Sequence, residues 1–193
     1  MYKFGMLLFL KLLLIFTLSQ PQLVPVTVDD FERFVNATQY TTDAERYGWS
    51  IVQIDVYRYR TQWGAFWCQP DGLHPPSSKE LPVTQVSYND AIAYCRWAGV
   101  RLPTYAEYWQ SVALDTRPIR SDNRGPIASA KDVNVVGNVW DITQQIDAKA
   151  KIRLAGGSLF CSQSTCHGTI PERELFVDLE TANIHIGFSV LVD

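Results

Sequence analysis

The strongest constraint on the fold is a capping pattern that recurs three times along the chain. At each place a hydroxyl residue is followed three positions later by an acid, and a one-sided apolar pattern begins: Thr27 with Asp30, Ser87 with Asp90, and Thr104 with Glu107. This pattern satisfies the unpaired amide groups at the start of a helix. The sequence therefore predicts three short amphipathic helices, the second of which ends at Gly99 in a left-handed cap.

Strand signals are fewer and are separated by long segments rich in Gly, Pro, Ser and Asn. Apolar and polar residues alternate over residues 52–56 and 184–190, and residues 151–154 form a third candidate strand before a double glycine. The loops at 69–82 and 117–130 are long for a single domain, and long ordered loops usually carry function. These features predict one loop-rich α+β domain without internal repeats.

Composition excludes several classes of protein. Hydrophobic residues make up 47% of the 193 and charged residues 19%, which is typical of an ordinary folded domain and not of a fibrous or disordered chain. The 20 acidic residues outnumber the 17 basic ones, so the chain lacks the basic surface that nucleic acids require. We therefore expect no nucleic-acid partner.

The first 19 residues have the pattern of a signal peptide. They contain two lysines, no acid and two apolar stretches, and they end in small residues at Thr17 and Ser19. An uncleaved membrane anchor is the alternative, but the apolar run is shorter than the ~20 residues needed to cross a bilayer. We expect cleavage after Ser19, a domain at residues 20–193, export to the periplasm, the extracellular space or the ER lumen, and no stable membrane span.

Export would place the four cysteines in an oxidising compartment, where thiols pair, bind metal or are buried. Cys161 and Cys166 are five positions apart around a Ser/Thr-rich segment, and by spacing alone a disulfide is the favoured interpretation. Two thiolates held close together also form a soft, low-coordinate site that selects Cu(I). Cys95 is expected to be a buried apolar side chain, and a Cys68–Cys95 bridge stays open.

Several blocks of the sequence resemble one known family. Residues 82–104 read Pro-Val-Thr-Gln-Val-Ser-Tyr-Asn-Asp-Ala-Ile-Ala-Tyr-Cys-Arg-Trp-Ala-Gly-Val-Arg-Leu-Pro-Thr, and three further blocks follow in the family's order: Gly137-Asn-Val-Trp-Asp141, Arg153-Leu-Ala-Gly-Gly-Ser158 and Gly187-Phe188. Together they resemble the formylglycine-generating enzymes, also called sulfatase-modifying factors. The resemblance implies a loop-rich α+β domain of the formylglycine-generating enzyme type, related to C-type lectins and shortened here at its N-terminus.

The segment from Gly156 to Cys166 reproduces the G-G-S-x-x-C-x4-C arrangement of the active members of that family. This block shifts the preference for the cysteine pair from a plain disulfide to a redox or metal role. The resemblance implies that Cys161 and Cys166 bind copper and that Ser158 lies beside them in the active site. It also implies a substrate: a cysteine in a C-x-P-x-R segment of a sulfatase-like protein, which O2 oxidises to Cα-formylglycine. The paired glycines fit such a site because backbone approaches closely only where no Cβ intervenes.

The block from Gly137 to Asp141 resembles a loop that contributes a calcium site in the family. Asn138 and Asp141 offer oxygen donors of the right hardness for calcium. The alternative is a turn in which Asn138 is left-handed and Asp141 is a cap. The sequence leaves both interpretations open.

Several positions depart from the family pattern. Ile142 stands where the family usually has a second active-site tryptophan, Ser189 replaces the arginine after Gly-Phe, and the segment after Cys166 is not arginine-rich. These departures favour a second hypothesis, a non-catalytic module that binds a peptide or a glycan and keeps Cys161 and Cys166 as a structural disulfide.

Most aromatic and imidazole side chains are expected to be structural. Four tryptophans could line a peptide groove but are more often core residues: Trp63, Trp67, Trp97 and Trp140. Among the histidines only His167, adjacent to Cys166, could assist the site, and a surface imidazole is the simpler interpretation. An iron oxygenase would need a cluster of histidine and carboxylate, and the three histidines are dispersed along the sequence.

Overall fold

A computed structural model describes residues 21–120, 125–161 and 168–192, and in these ranges the chain forms one mixed domain. The helices are α1 (Val28–Thr38), α2 (Asp43–Tyr47), α3 (Tyr88–Ala98) and α4 (Tyr105–Val112). The three predicted capping boxes are confirmed at the starts of α1, α3 and α4, and Gly99 ends α3 with a φ of 71°. Helix α2 is additional to the prediction, and Thr42 and Glu45 cap it in the same reciprocal way.

The strands are β1 (Gln22–Pro25), β2 (Trp49–Gln53), β3 (Tyr59–Trp63), β4 (Trp140–Ile146), β5 (Lys151–Ala155), β6 (Phe176–Asp178), β7 (Ile186–Gly187) and β8 (Ser189–Val192). They form three small sheets in the described part of the chain. β1 pairs with β8, β2 pairs with β3, and the largest sheet has the order β6-β5-β4-β7. Only the β4–β7 pair is parallel among these.

The strand predictions are confirmed in part. The candidate at 151–154 is β5, whereas the first candidate is right only up to Gln53. Residues 54–56 belong instead to the β2–β3 turn, where the Asp55 carboxylate accepts from the N–H groups of Tyr57 and Arg58 at 3.0 Å. The third candidate is divided between β7 and β8. The alternation predicted an exposed polar face for this segment. That prediction is wrong, because His185 and Ser189 are as buried as their apolar neighbours.

The candidate site is attached to the main apolar core. Aromatic rings from α1, α3 and the segment before β8 meet at the centre, with centroids 5.3 to 6.3 Å apart: Phe31, Phe34, Tyr94 and Phe188. Trp140 and Cys161 belong to the same cluster of buried side chains. Close packing of this kind holds a side chain in one position. The core therefore fixes one edge of the site.

The described residues of both predicted loops lie outside the helices and strands. Pro70, Pro76 and Pro126 from these loops line a cavity beside the core. Of the helices described, none has the length and apolar character needed to span a bilayer.

Candidate functional site

Two turns lie side by side at the ends of neighbouring strands and bring most of the predicted site residues together. β4 and β5 are antiparallel, so the turn before β4 meets the turn after β5. The N–H of Gly137 donates to the carbonyl of Gly156 at 2.8 Å, and the N–H of Leu159 donates to the carbonyl of Asn138 at 3.2 Å. Asn138, proposed for calcium, and Cys161, proposed for copper, therefore lie in neighbouring turns.

The double glycine permits two close backbone approaches. Gly156 and Gly157 have φ values of 82° and 71°, which side-chain-bearing residues rarely adopt. A Cβ on Gly156 would lie 2.1 Å from the hydroxyl oxygen of Tyr108, and one on Gly157 would lie 2.8 Å from the backbone of Gly168. The groups that approach the two glycines this closely are the Tyr108 side chain and the Gly168 backbone, and the expected close approach to a metal site stays a prediction.

Ser158 and Cys161 share a single tight turn. The N–H of Cys161 donates to the carbonyl of Ser158 at 2.8 Å, and the Ser158 hydroxyl accepts from the N–H of Phe160 at 3.4 Å. Ser158 is 1% exposed and Cys161 is 3% exposed. Cys161 is in a disulfide, whereas Cys166 lies outside the described residues. The turn thus places the Ser158 backbone beside Cys161, and the role of Ser158 in an active site stays a prediction.

The Asn138 side chain is occupied by a backbone contact across the turn. Its Oδ1 accepts from the N–H of Ala128 at 3.0 Å, and its Nδ2 donates to the carbonyl of Ala128 at 2.8 Å. The left-handed conformation expected for Asn138 falls instead on Gly137, with a φ of 81°. The Asn138 side chain therefore fastens the loop at Ala128 to the turn before β4.

Asp141 is a buried carboxyl group that contacts two hydroxyls. Ser189 donates to its Oδ1 at 2.7 Å, and Tyr108 donates to its Oδ2 at 3.2 Å. Burial raises the pKa of Asp141 to about 7, and these two hydrogen bonds oppose that rise. Asp141 lies in β4, so it is not a helix cap, and both of its oxygens already have donors. The two side chains predicted for calcium thus bond to groups of the chain itself, and a calcium site at Asn138 and Asp141 stays a prediction.

Ser189, one of the departures from the family pattern, contacts this carboxyl group. The resemblance leads us to expect a glutamate at position 141 and an arginine at position 189, and here an aspartate and a serine are in direct contact. A donating hydroxyl favours the ionised carboxylate only modestly and can also bond to the protonated carboxyl group, whereas an arginine would favour the ionised form more strongly. Ile142, another departure from the family pattern, is 1% exposed and packs in the core.

The remaining cysteines are separate from the site. Cys68 and Cys95 are both free, so the bridge that the sequence left open does not form. Cys95 is buried in α3, and this burial raises the pKa of its thiol to about 12, which confirms it as an unreactive core side chain. Burial also raises the pKa of the half-buried Cys68 thiol.

A cavity of about 240 Å³ opens beside the turn that carries Cys161. Leu159 and Phe160, the two residues between Ser158 and Cys161, form part of its wall. Loop residues from both predicted long loops form the opposite parts: Pro70, Pro76, Leu81, Pro126 and Ile127. Cys161 itself does not line this cavity, so the turn separates the sulfur from the opening. A second cavity, of about 420 Å³, is lined by Trp140, Leu154 and Ile186.

His185 is the functional candidate that the sequence did not indicate. It lines the smaller cavity, its ring meets Phe160 edge to face at 4.6 Å, and burial lowers its pKa to about 4. No sequence signal distinguishes it, because its neighbours read as an alternating strand. His74 is exposed beside Asp71 at 2.8 Å, and His167 lies outside the described residues.

Only two of the four tryptophans that were expected in the core are buried there. Trp67 and Trp140 are buried in the main cluster, as predicted, and Trp67 also lines the smaller cavity. Trp63 and Trp97 are 70% and 44% exposed, so the core prediction is wrong for them. Trp63 lies on the edge of the β2–β3 hairpin, where no other strand pairs with it within the described chain.

The donor set determines which metal chemistry the site can support. No group of three or more His, Cys, Asp or Glu side chains comes together in residues 21–120, 125–161 and 168–192. An iron site built from histidine and carboxylate therefore has no support from the described residues. Cys161 is a soft sulfur donor among apolar side chains, which fits Cu(I) better than a hard ion, once its disulfide is reduced.

The fold and the paired turns define a class, a single mixed domain of helices and strands with a site between two turns at the end of a small sheet. The structure of PvdO from Pseudomonas aeruginosa has a similar fold, with a TM-score of 0.56 over 90% of this chain and 78% of that chain. The sequence identity is 13%, so this likeness shows the fold alone. The predicted α+β class is confirmed.

The chain belongs to the sulfatase-modifying factor enzyme 1-like domain family, whose sequence model matches residues 16–117. The formylglycine-generating enzyme of Thermomonospora curvata is 45% identical over 102 residues, covering 43% of this chain and 33% of that protein. The inactive C-alpha-formylglycine-generating enzyme 2 of Mus musculus is 42% identical over 109 residues, covering 46% and 34%. The chain thus spans about a third of the length of these curated relatives, and the family match ends before the two turns of the site.

Proposed function

We propose that this chain is an oxidase that converts a cysteine of an exported, sulfatase-like protein to Cα-formylglycine with O2. The observation that carries the proposal is the turn from Gly156 to Cys161, which holds Ser158 beside Cys161 and whose Leu159 and Phe160 line a cavity. Membership of the sulfatase-modifying factor family and the similarity to a formylglycine-generating enzyme support it. A C-x-P-x-R segment is the proposed substrate.

In this proposal Cys161 and Cys166 hold a Cu(I) ion, which would supply the activation of dioxygen. The substrate Cβ loses its sulfur as hydrogen sulfide and becomes an aldehyde. This conversion releases two electrons, and a thiol reductant supplies the two more that complete the reduction of O2. One substrate thiol, O2, two protons and two electrons thus give the aldehyde, hydrogen sulfide and water. The same thiol reductant would open the disulfide of Cys161 before the first turnover.

The chain's own residues have distinct parts in this scheme. The Ser158 hydroxyl accepts from the Phe160 N–H, which leaves its own proton available to a group beside Cys161. The turn around Cys161 keeps bulk water from the sulfur, since both Ser158 and Cys161 are almost fully buried. The neutral imidazole of His185 adds no charge to the neighbouring cavity.

The test is conversion of a C-x-P-x-R peptide in air by the reduced, Cu(I)-loaded protein, followed by mass spectrometry of the peptide. We expect the mass loss that accompanies conversion of the thiol to an aldehyde. Cys161→Ala and Cys166→Ala should reduce conversion to background, and Ser158→Ala should lower its rate roughly 10–100-fold, the effect expected of a residue that supports a metal site.

The matched control is Cys95→Ala, which removes a buried free thiol away from the two turns. It should keep full conversion. An unmodified peptide with the copper-loaded protein, or equal loss of conversion in Cys95→Ala and Cys161→Ala, would contradict the oxidase proposal.

A second candidate function is a non-catalytic binding module. Two observations favour it: Cys161 is in a disulfide and almost fully buried, and an inactive relative is 42% identical to this chain over the matched residues. Thiol titration separates the candidates. The native protein is first treated with the thiol reductant and Cu(I) and is then freed of excess reagent. The module predicts that only Cys68 and Cys95 react after denaturation, whereas the oxidase predicts further thiols that a Cu(I) chelator releases from the treated native protein.

A further inference from the structure

The second cavity, of about 420 Å³, is lined by residues of the β2–β3 hairpin and of the four-stranded sheet. Ile51 and Thr61 come from the hairpin, whereas Trp140, Leu154 and Ile186 come from β4, β5 and β7. Pockets that hold small molecules span about 300–1,000 Å³. The cavity therefore has room for a small organic ligand, and the sheet gives it an apolar wall.

This second cavity is separate from the one beside the Cys161 turn. No described residue lines both. Gln53 lines the second cavity and His185 lines the smaller one, and Gln53 Oε1 lies 3.4 Å from His185 Nδ1. A ligand in the second cavity would therefore contact neither Ser158 nor Cys161.

A nearly buried amide in the lining of the second cavity has an unused donor. Asn183 is 7% exposed, and its Oδ1 accepts from the N–H of His185 at 3.0 Å. Its carbonyl accepts from the N–H groups of Gln85 and Ile186 at 3.1 and 3.0 Å, so the residue is held in place. In residues 21–120, 125–161 and 168–192, Asn183 Nδ2 has no acceptor. This donor is therefore available to a ligand.

Arg60 is the one charged side chain that lines the second cavity in the described part of the chain. It lies on β3 and forms no ion pair with another described residue. The carboxylates of Asp178 and Glu180 flank the sheet wall without lining the cavity, and they have other partners, Lys151 at 3.1 Å and the Tyr47 hydroxyl at 2.6 Å. The lining thus combines a guanidinium with a free amide donor, which complements an anion.

These properties select one class of ligand. A cation would be repelled by Arg60 and would leave the Asn183 donor unused. A small, strongly hydrated anion would leave the apolar wall at Trp140 and Leu154 uncovered. A carboxylate on an apolar body satisfies both parts of the lining, because its oxygens accept hydrogen bonds while its hydrocarbon buries apolar surface.

We propose that the second cavity binds a small apolar monocarboxylate. The carboxylate accepts from Asn183 Nδ2 and pairs with Arg60, and the hydrocarbon part lies against the wall formed by Trp140, Leu154 and Ile186. The site is additional to the proposed oxidase and uses none of its residues.

The test is isothermal titration calorimetry of the whole protein at about pH 7, where a carboxylate is ionised. Three probes share one hydrocarbon chain and differ in the head group: octanoate, octanamide and octylammonium. We expect octanoate to bind with a Kd below about 1 mM and at least roughly tenfold below that of octanamide, the effect of a charge-assisted hydrogen bond. Octylammonium should not bind. Equal affinity for octanoate and octylammonium, or absence of octanoate binding, would overturn the proposal.

A fourth probe distinguishes a free acid from the end of a polypeptide. N-acetyl-trileucine carries its carboxylate at a peptide C-terminus. We expect it to bind more weakly than octanoate. Tighter binding of the peptide would overturn the assignment to a small monocarboxylate.

Two matched variants check the contribution of the guanidinium. Arg60→Gln removes the charge from the lining and should raise the Kd of octanoate at least roughly tenfold, with little effect on octanamide. Arg58→Gln makes the same change two residues away, at an exposed arginine that pairs with Asp55 and does not line the cavity. It should leave octanoate binding unchanged. Equal weakening in both variants would contradict the assigned site.

Asn183→Asp checks the amide. The variant keeps an oxygen for the N–H of His185 and replaces the free donor with a carboxylate, so octanoate binding should be lost. Octanoate binding of parental affinity in this variant would contradict the role of Asn183. Arg60→Gln, at an exposed position, decides the question where Asn183→Asp does not fold.

Discussion

At the scale of single residues, Asp141 is the group whose charge state the fold controls most visibly. It is fully buried, and burial raises its pKa from 3.8 to about 7. Between about pH 4 and pH 7, the Asp141 carboxyl group therefore keeps its proton in the native state and loses it in the unfolded chain. Stability that this group contributes is complete below about pH 4 and is lost as the pH rises towards 7.

Asp141→Asn should remove that pH dependence, because an amide is neutral throughout. The pKa difference corresponds to on the order of 4 kcal/mol. We expect the variant to gain up to that much unfolding free energy relative to the parent chain between about pH 4 and pH 8. Urea unfolding at about pH 4 and pH 8 measures this change in unfolding free energy. An equal pH dependence for the parent chain and Asp141→Asn would contradict the raised pKa of Asp141. Ser189→Ala removes a donor that stabilises the ionised form, so it should deepen the loss of stability above about pH 7.

Gly156 offers a second prediction at this scale. Gly156→Ala combines a left-handed φ with a Cβ that would lie 2.1 Å from the Tyr108 hydroxyl oxygen. We expect the unfolding free energy to fall by several kcal/mol, because the backbone conformation alone costs only roughly 1–2 kcal/mol. Tyr108→Phe removes that oxygen and should recover part of the loss in the double variant. A double-mutant cycle by urea unfolding measures the coupling. Additive losses would show that the contact is not the cause.

At the scale of elements, the same capping box has two different surroundings. Ser87 at the start of α3 is fully buried, and its hydroxyl both accepts from Asp90 N–H and donates to Asp43 at 2.5 Å. Thr104 at the start of α4 is exposed, and its hydroxyl accepts from Glu107 N–H. The Ser87 cap therefore joins α2 and α3, whereas the Thr104 cap stabilises only α4.

This difference predicts unequal costs for the same change. Thr104→Ala should lower the unfolding free energy by about 1 kcal/mol, the ordinary value of a cap. Ser87→Ala should cost about 2 kcal/mol or more, because it also removes a buried donor to Asp43. Urea unfolding with an unchanged m-value measures both. Equal costs would show that the contact with Asp43 contributes nothing.

The elements also show which parts of the structure the sequence could predict. The caps at Thr27, Ser87 and Thr104 were predictable because a capping box depends on four consecutive residues. The alternation around His185 and Ser189 failed because both faces of that segment are covered by elements that are remote in sequence. For the same reason, no single loop carries a sequence signal for the wall of the smaller cavity, because that wall is built from loops in both halves of the chain.

At the scale of the whole molecule, the two ends of the described chain are joined by β1 and β8. Gln22 lies opposite Val192 and Pro25 opposite Ser189, the residue whose hydroxyl contacts Asp141. Leu23 packs on the second apolar cluster, which contains Tyr108. The first strand thus supports both partners of Asp141 and begins only three residues after the proposed cleavage at Ser19.

Removal of the proposed signal peptide should therefore leave the fold intact, whereas a slightly longer truncation should not. We expect an exported chain that begins at Gln20, as read by N-terminal sequencing, and a thermal midpoint that is the same for chains beginning at Gln20 and Gln22. A chain beginning at Val26 lacks β1 and the buried part of Leu23, so its unfolding free energy should fall by roughly 2 kcal/mol. For a domain of this size that lowers the midpoint by about 4–8 °C. An equal midpoint for the chains beginning at Gln22 and Val26 would show that β1 does not stabilise the domain.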